Sequence, residues 1–126
     1  MPASFDPSID AALNLLHAVT TPDGILASPT DVTNYRRVWA RDSVMCGLAG
    51  LVAGDDRITQ GLKDTLEALA AAGGPDGQIP SNLAIRDGHI TDVSYGGLSG
   101  RVDAISWFVV GLAQYVQATG DAAFGA

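Results

Sequence analysis

One cysteine, Cys46, and two histidines, His17 and His89, are all that 126 residues offer to thiol or imidazole chemistry. A lone cysteine excludes an intrachain disulfide framework, and three such ligands cannot complete a tetrahedral Cys/His zinc site. Metal chemistry would have to be carboxylate based, and neither a metal nor an organic cofactor is expected. Cations are equally scarce: seven Lys and Arg stand against fourteen acidic residues, only one of them Glu, for a formal charge of -7. That balance repels the phosphates a nucleic-acid binder must neutralise, so nucleic acid and anionic membranes are not expected partners. No apolar run approaches the roughly 18 residues of a membrane span. The opening MPASFDPSID lacks the basic and apolar regions of a secretory signal, and the expected location is the cytoplasm. A GxxxxGK[ST] phosphate cradle is missing, and Gly97-Leu98-Ser99-Gly100 falls one place short of a serine nucleophile elbow with no His after it.

What is present is a chain with 47% hydrophobic residues, enough for one packed domain. Asp6 before Pro7 marks a helix start, with Ile9, Leu13 and Leu16 on one face; the helix runs to about His17 or Val19 and stops at Thr21-Pro22-Asp23-Gly24. Residues 25 to 38 read as irregular. A second helix, opening near Asp42, carries Val44, Leu48, Leu51 and Val52, with Gly47 and Gly50 permitting close approach of a neighbour; it reads as buried. After Gly54, Asp55 or Asp56 caps a third helix whose stripe of Ile58, Leu62, Leu66 and Leu69 lies opposite Arg57, Lys63, Asp64 and Glu67, a peripheral pattern. Gly73-Gly74-Pro75 then opens about thirty residues without helical periodicity, with a small hairpin expected around Asp87-Gly88. The fourth helix starts near Asp103, is apolar on nearly every face and ends at Gly120. Four helices in outer-inner-outer-inner order, helices 2 and 4 parallel, give an all-α fold, part of an α/α toroid. On this reading residues 1–126 form an incomplete segment of one toroid domain, with the rest of the ring or a second copy expected to cover it.

Two stretches carry the chemistry: NYRRVWARDS (34 to 43) and SYGGLSGRVDAISWF (94 to 108), the latter preceded by GQIPSN (77 to 82). Each ends with an Asp at the start of an expected buried helix, so both would open on one mouth, beside Tyr35, Trp39, Tyr95 and Trp107. Aromatic planes suit the C–H faces of sugars, and carboxylates and arginines suit their hydroxyls. Glycoside hydrolysis further needs a carboxylic acid on the leaving oxygen and a second carboxylate for water or nucleophile.

These three motifs, covering most of residues 34 to 121, resemble the N-terminal part of the catalytic toroid in glycogen-debranching proteins of the amylo-α-1,6-glucosidase type and in their relatives the alkaline/neutral invertases. The resemblance implies an (α/α)6 barrel and an inverting glycosidase acting on a carbohydrate such as an α-glucan oligosaccharide. It assigns proton donation to Asp103 and sugar contact to Asp42, with Trp39, Arg41, Tyr95 and Arg101 as candidate substrate-binding residues. In this family the general base would lie on later helices; Glu67, on a polar face, is a poor substitute.

Plainer readings stand beside these. An Asp at a helix start is commonly a cap. A helix N-terminus also favours negative charge, whereas a general acid must arrive protonated, so burial or a second carboxylate would have to outweigh the dipole. Trp107 and Phe108 read as core, Arg101 as a loop-holding ion pair, and Asp55, Asp56 and Asp87 as turn carboxylates. The competing functional classes are a non-catalytic carbohydrate-binding or scaffold fragment, and an invertase-type or epimerase activity on the same toroid.

Overall fold

The computed structural model describes residues 6–31, 34–96 and 102–126. Helix α1 (Pro7–Val19) begins as the sequence implies: the Asp6 side chain accepts from the Ser8 N–H at 2.9 Å, and Pro7 fills the first turn. The chain then reverses through β1 (Thr20–Thr21) and β2 (Gly24–Ile25), paired antiparallel around Pro22-Asp23. After β3 (Val38–Trp39) come α2 (Ala40–Ala53), α3 (Asp56–Ala71), β4 (Asn82–Arg86), β5 (His89–Ser94) and α4 (Val102–Thr119).

The all-α expectation is therefore wrong. Helices hold 54% and strands 15% of the described residues, the strands forming one two-stranded and one three-stranded antiparallel sheet, the latter in order β3-β4-β5. Residues 25 to 38, read as irregular, carry neither helix nor strand over 26–31 and 34–37; only the end residues, Ile25 and Val38, belong to β2 and β3. Two-residue strands are too short to show a period, and their pairing is imposed from a distance: Val38 lies opposite Leu83 and Trp39 opposite Asn82. The β4-β5 hairpin does turn at Asp87-Gly88, with φ of 52° and 76°. Two consecutive left-handed residues make the type I′ turn whose twist matches a two-residue hairpin, a conformation that Asp-Gly tolerates.

The core has three linked parts. Val38, Ala40, Leu69, Ile79, Leu83 and Ala104 join the three-stranded sheet to the helices; Val44, Leu62, Leu66 and Tyr115 bind α2, α3 and α4 together; Val19, Ile25 and Ile58 seat α1 and the first hairpin on α3. The α3 stripe is fully buried while Glu67 is exposed, as its amphipathic pattern requires. The helix read as enclosed, α4, buries only Ala104, Gly111 and Tyr115, and leaves Val102, Ile105, Val109 and Val110 exposed. Its all-round apolarity is met on one side only, because α2 and α3 cover a single face. Two buried bonds tie the first hairpin to the helices: the Ile25 N–H donates to Thr65 Oγ1 of α3 and the Ser43 hydroxyl of α2 donates to the Ile25 carbonyl. These bonds fix the first hairpin against both helices.

Candidate functional site

The strand pair β3-β4 feeds directly into α2, and this junction builds a cleft. Ala40 N–H donates to the Ser81 carbonyl at 2.9 Å, extending the β3-β4 ladder by one bond into the first residue of the helix. The cleft is lined by Trp39, Ala40, Arg41, Asp42, Ser81, Asp103 and Ala104. Four of the six residues singled out from the sequence, Trp39, Arg41, Asp42 and Asp103, thus converge, although Arg41 and Asp103 are 62 positions apart.

Arg41 Nη1 donates to Asp103 Oδ2 at 3.2 Å, both side chains about half exposed. An ion pair so open to water contributes only about 0.2–1 kcal/mol, so it aligns the two groups more than it stabilises the fold. Neither aspartate caps its helix in the way the plainer reading supposes for Asp42: the residue before α2 is Trp39, which makes no side-chain capping bond, and Asp42 lies within the first turn. Asp103 likewise lies in the first turn of α4. Below Asp42 on the same helix face, burial pushes the Cys46 thiol up, and the Asp42 charge adds to the effect. Both effects disfavour the reactive thiolate at Cys46.

Trp39 is fixed by its indole N–H, which donates to the Asn34 carbonyl at 3.2 Å, and Tyr35 stacks on it with ring centroids 5.7 Å apart and planes 28° from parallel. Tyr35 is exposed, so the pair offers an aromatic surface beside the carboxylates. The cleft itself has a volume of about 10 Å³, room for about one water or hydroxyl.

Tyr95 is not part of this arrangement. Its hydroxyl donates to the Ala72 carbonyl at 2.7 Å, tying the end of β5 to the C-terminus of α3, so a residue expected to bind substrate is a structural tie. Arg101 lies outside the described residues. Trp107 and Phe108 pack against the core clusters, as read. Ser81, which lines the cleft, went unassigned in the sequence, and so did its neighbour Asn82. Asn82 is buried, its amide donates to Ser81 Oγ at 3.2 Å, and its Oδ1 accepts no hydrogen bond among the described residues. The signal was the GQIPSN motif itself, whose last two residues these are.

Among the described residues no three His, Cys, Asp or Glu side chains gather as a metal site, and no helix is long and apolar enough to cross a membrane. No family model, curated protein or solved structure matches the chain.

Proposed function

We propose that this chain supplies one wall of a glycoside hydrolase site for α-glucan oligosaccharides in the cytoplasm, with Asp103 donating the proton to the departing glycosidic oxygen and Asp42 holding hydroxyls of the sugar being cleaved. The observation that supports it most is the convergence of Trp39, Arg41, Asp42 and Asp103 on one cleft from two separate motifs. Each group has a use in that chemistry: aromatic rings for the sugar's C–H face, the Asp42 carboxylate and Arg41 for hydroxyls, and a carboxyl that can protonate an ether oxygen. The second carboxylate that hydrolysis requires is not assigned.

The Arg41–Asp103 pair favours a second reading, in which the same wall binds carbohydrate without cleaving it, since a carboxylate oriented by a guanidinium is a good hydroxyl acceptor. Titration with linear and branched α-glucan oligosaccharides, followed by NMR together with measurement of released reducing sugar, separates the two. Binding with release of glucose supports the hydrolase; saturable binding that shifts Trp39 without release supports the binding module. Absence of any sugar binding refutes both.

A further inference from the structure

At the other end of the β3-β4 pair from the cleft lies a larger cavity of about 620 Å³, whose lining includes Asp31, Asn34, Arg36, Arg37, Arg86 and Asp87. Three of the chain's seven cationic residues gather here, in a protein with a formal charge of -7. Arg36 and Arg86 are exposed and make no ion pair among the described residues. Arg37 is different. Its Nη1 donates to Asp92 of β5 at 2.8 Å, while its Nε and Nη2 are buried and have no hydrogen-bond partner among the described residues. A buried guanidinium edge with two idle donors is uncommon in a folded protein and calls for an explanation. Nε–H and the adjacent Nη2–H point the same way, forming the fork that matches two oxygens of a carboxylate or phosphate.

Arg36, Arg37 and Ile85 also line a second cavity of about 90 Å³, together with Thr21, Asp23, Leu26 and Val38, so Arg37 stands between two spaces. We infer that the larger cavity binds a small hydroxylated ligand bearing a phosphate or carboxylate, such as a hexose phosphate. Arg36 and Arg86 attract and hold the oxyanion, and the idle edge of Arg37 swings out of the wall to meet it. Asp31, Asn34 and Asp87 accept or donate hydrogen bonds to the ligand's hydroxyls, a role that also explains why carboxylates share the cavity with arginines. A volume of this size is that of ordinary small-molecule sites. Along the run into β3 the nearest lining residues of the two sites, Arg37 and Trp39, are two positions apart, roughly 7 Å at the usual rise per residue, and the cavity's Asn34 accepts from the Trp39 indole of the cleft; the inference rests on Arg36, Arg37 and Arg86, none of which the hydrolase reading uses.

The test is titration of the protein with inorganic phosphate, glucose 6-phosphate, glucuronate and glucose at constant ionic strength, read by calorimetry and by NMR of the arginine side chains. Glucose 6-phosphate is expected to bind saturably and more tightly than inorganic phosphate, and glucose not to bind at the Arg37 site. The exposed pair Arg36→Ala/Arg86→Ala, which leaves the core untouched, should weaken that binding about tenfold or more, and Arg37→Lys should weaken it while circular dichroism stays unchanged. Asp103→Asn should leave it unaltered. Equal binding of phosphate and glucose 6-phosphate would overturn the role given to the hydroxyls. If neither anion binds more tightly than chloride, or if the arginine substitutions change nothing, the site does not exist.

Discussion

Asp103 and Asp42 both lie in the first turns of their helices, second in α4 and third in α2, yet the proposed chemistry asks different things of them. Asp103→Asn keeps the shape and the ability to accept from Arg41 but removes the proton, so turnover of natural glycosides should fall by about 10²–10⁴. A glycosyl fluoride, whose leaving group needs no proton, should lose much less, whereas Asp42→Asn should weaken both substrates alike. Steady-state rates on the two substrate types check this, and near-normal turnover of Asp103→Asn on natural glycosides would remove Asp103 from the mechanism. Asp55 carries a stability consequence instead. Burial raises its carboxyl, but the Ile58 N–H at 2.9 Å and His17 at 2.6 Å outweigh burial, so the net shift is downward. A carboxyl lowered in the folded state stabilises at all pH above its unfolded value and loses that contribution as pH falls through the folded one, below about pH 4. Asp55→Asn retains an acceptor for the α3 cap but no charge. Its urea midpoint should drop less than the wild-type midpoint does between about pH 7 and pH 3.

The elements differ in how openly the sequence announces them. The buried stripe of α3 and the Asp6-Pro7 start of α1 are local patterns, and each is where periodicity and capping place it. So is the Asp87-Gly88 turn, because its chemistry is contained in two residues. By contrast β3 exists only because Val38 and Trp39 meet β4 after α2 and α3 have intervened, and nothing within residues 25 to 38 encodes that meeting. The cleft shows the same division: Trp39, Arg41, Asp42 and Asp103 sit in conspicuous motifs, Ser81 lies in the GQIPSN motif but reaches the site through a strand pairing that the motif does not specify, and the Ala72 carbonyl that accepts from the Tyr95 hydroxyl cannot be read from that tyrosine's neighbours. The glycines of α2 are a further local signal with a sharp test. A Cβ on Gly50 would collide with Ile58 Cγ2, and one on Gly47 would lie 2.6 Å from Leu62 Cβ, with no space on the α3 side. Gly50→Ala therefore forces α2 and α3 apart and should cost about 1–3 kcal/mol, more than the roughly 1 kcal/mol of helix propensity it gains. Chemical denaturation measures the sign directly; a stabilised variant would mean that the helix pair is looser than its packing indicates.

Across the whole molecule the apolar surface is unevenly distributed. Met45 and Val52 of α2 and Val102, Ile105, Val109 and Val110 of α4 are exposed, the outcome of a helix pair covered by α3 on one side only. Exposed apolar groups on this scale favour association. Val52→Lys with Val109→Lys should reduce concentration-dependent association in sedimentation while leaving the melting temperature within a few degrees, since neither side chain contributes to the core. A strictly monomeric wild type with a sharp, reversible transition would show that this surface is tolerated in water. The strand pairing beneath the cleft has a consequence in time as well as in space. The β4-β5 hairpin closes over two residues and can form in about 1–10 μs, but β3 joins it only after α2 and α3 have been threaded between them, and Asp103 arrives later still along the chain. High contact order of this kind puts the cleft among the last features to be completed during folding. Variants that slow the docking of β3 would then yield chains with full helix content in which Trp39 and Asp103 have not yet met.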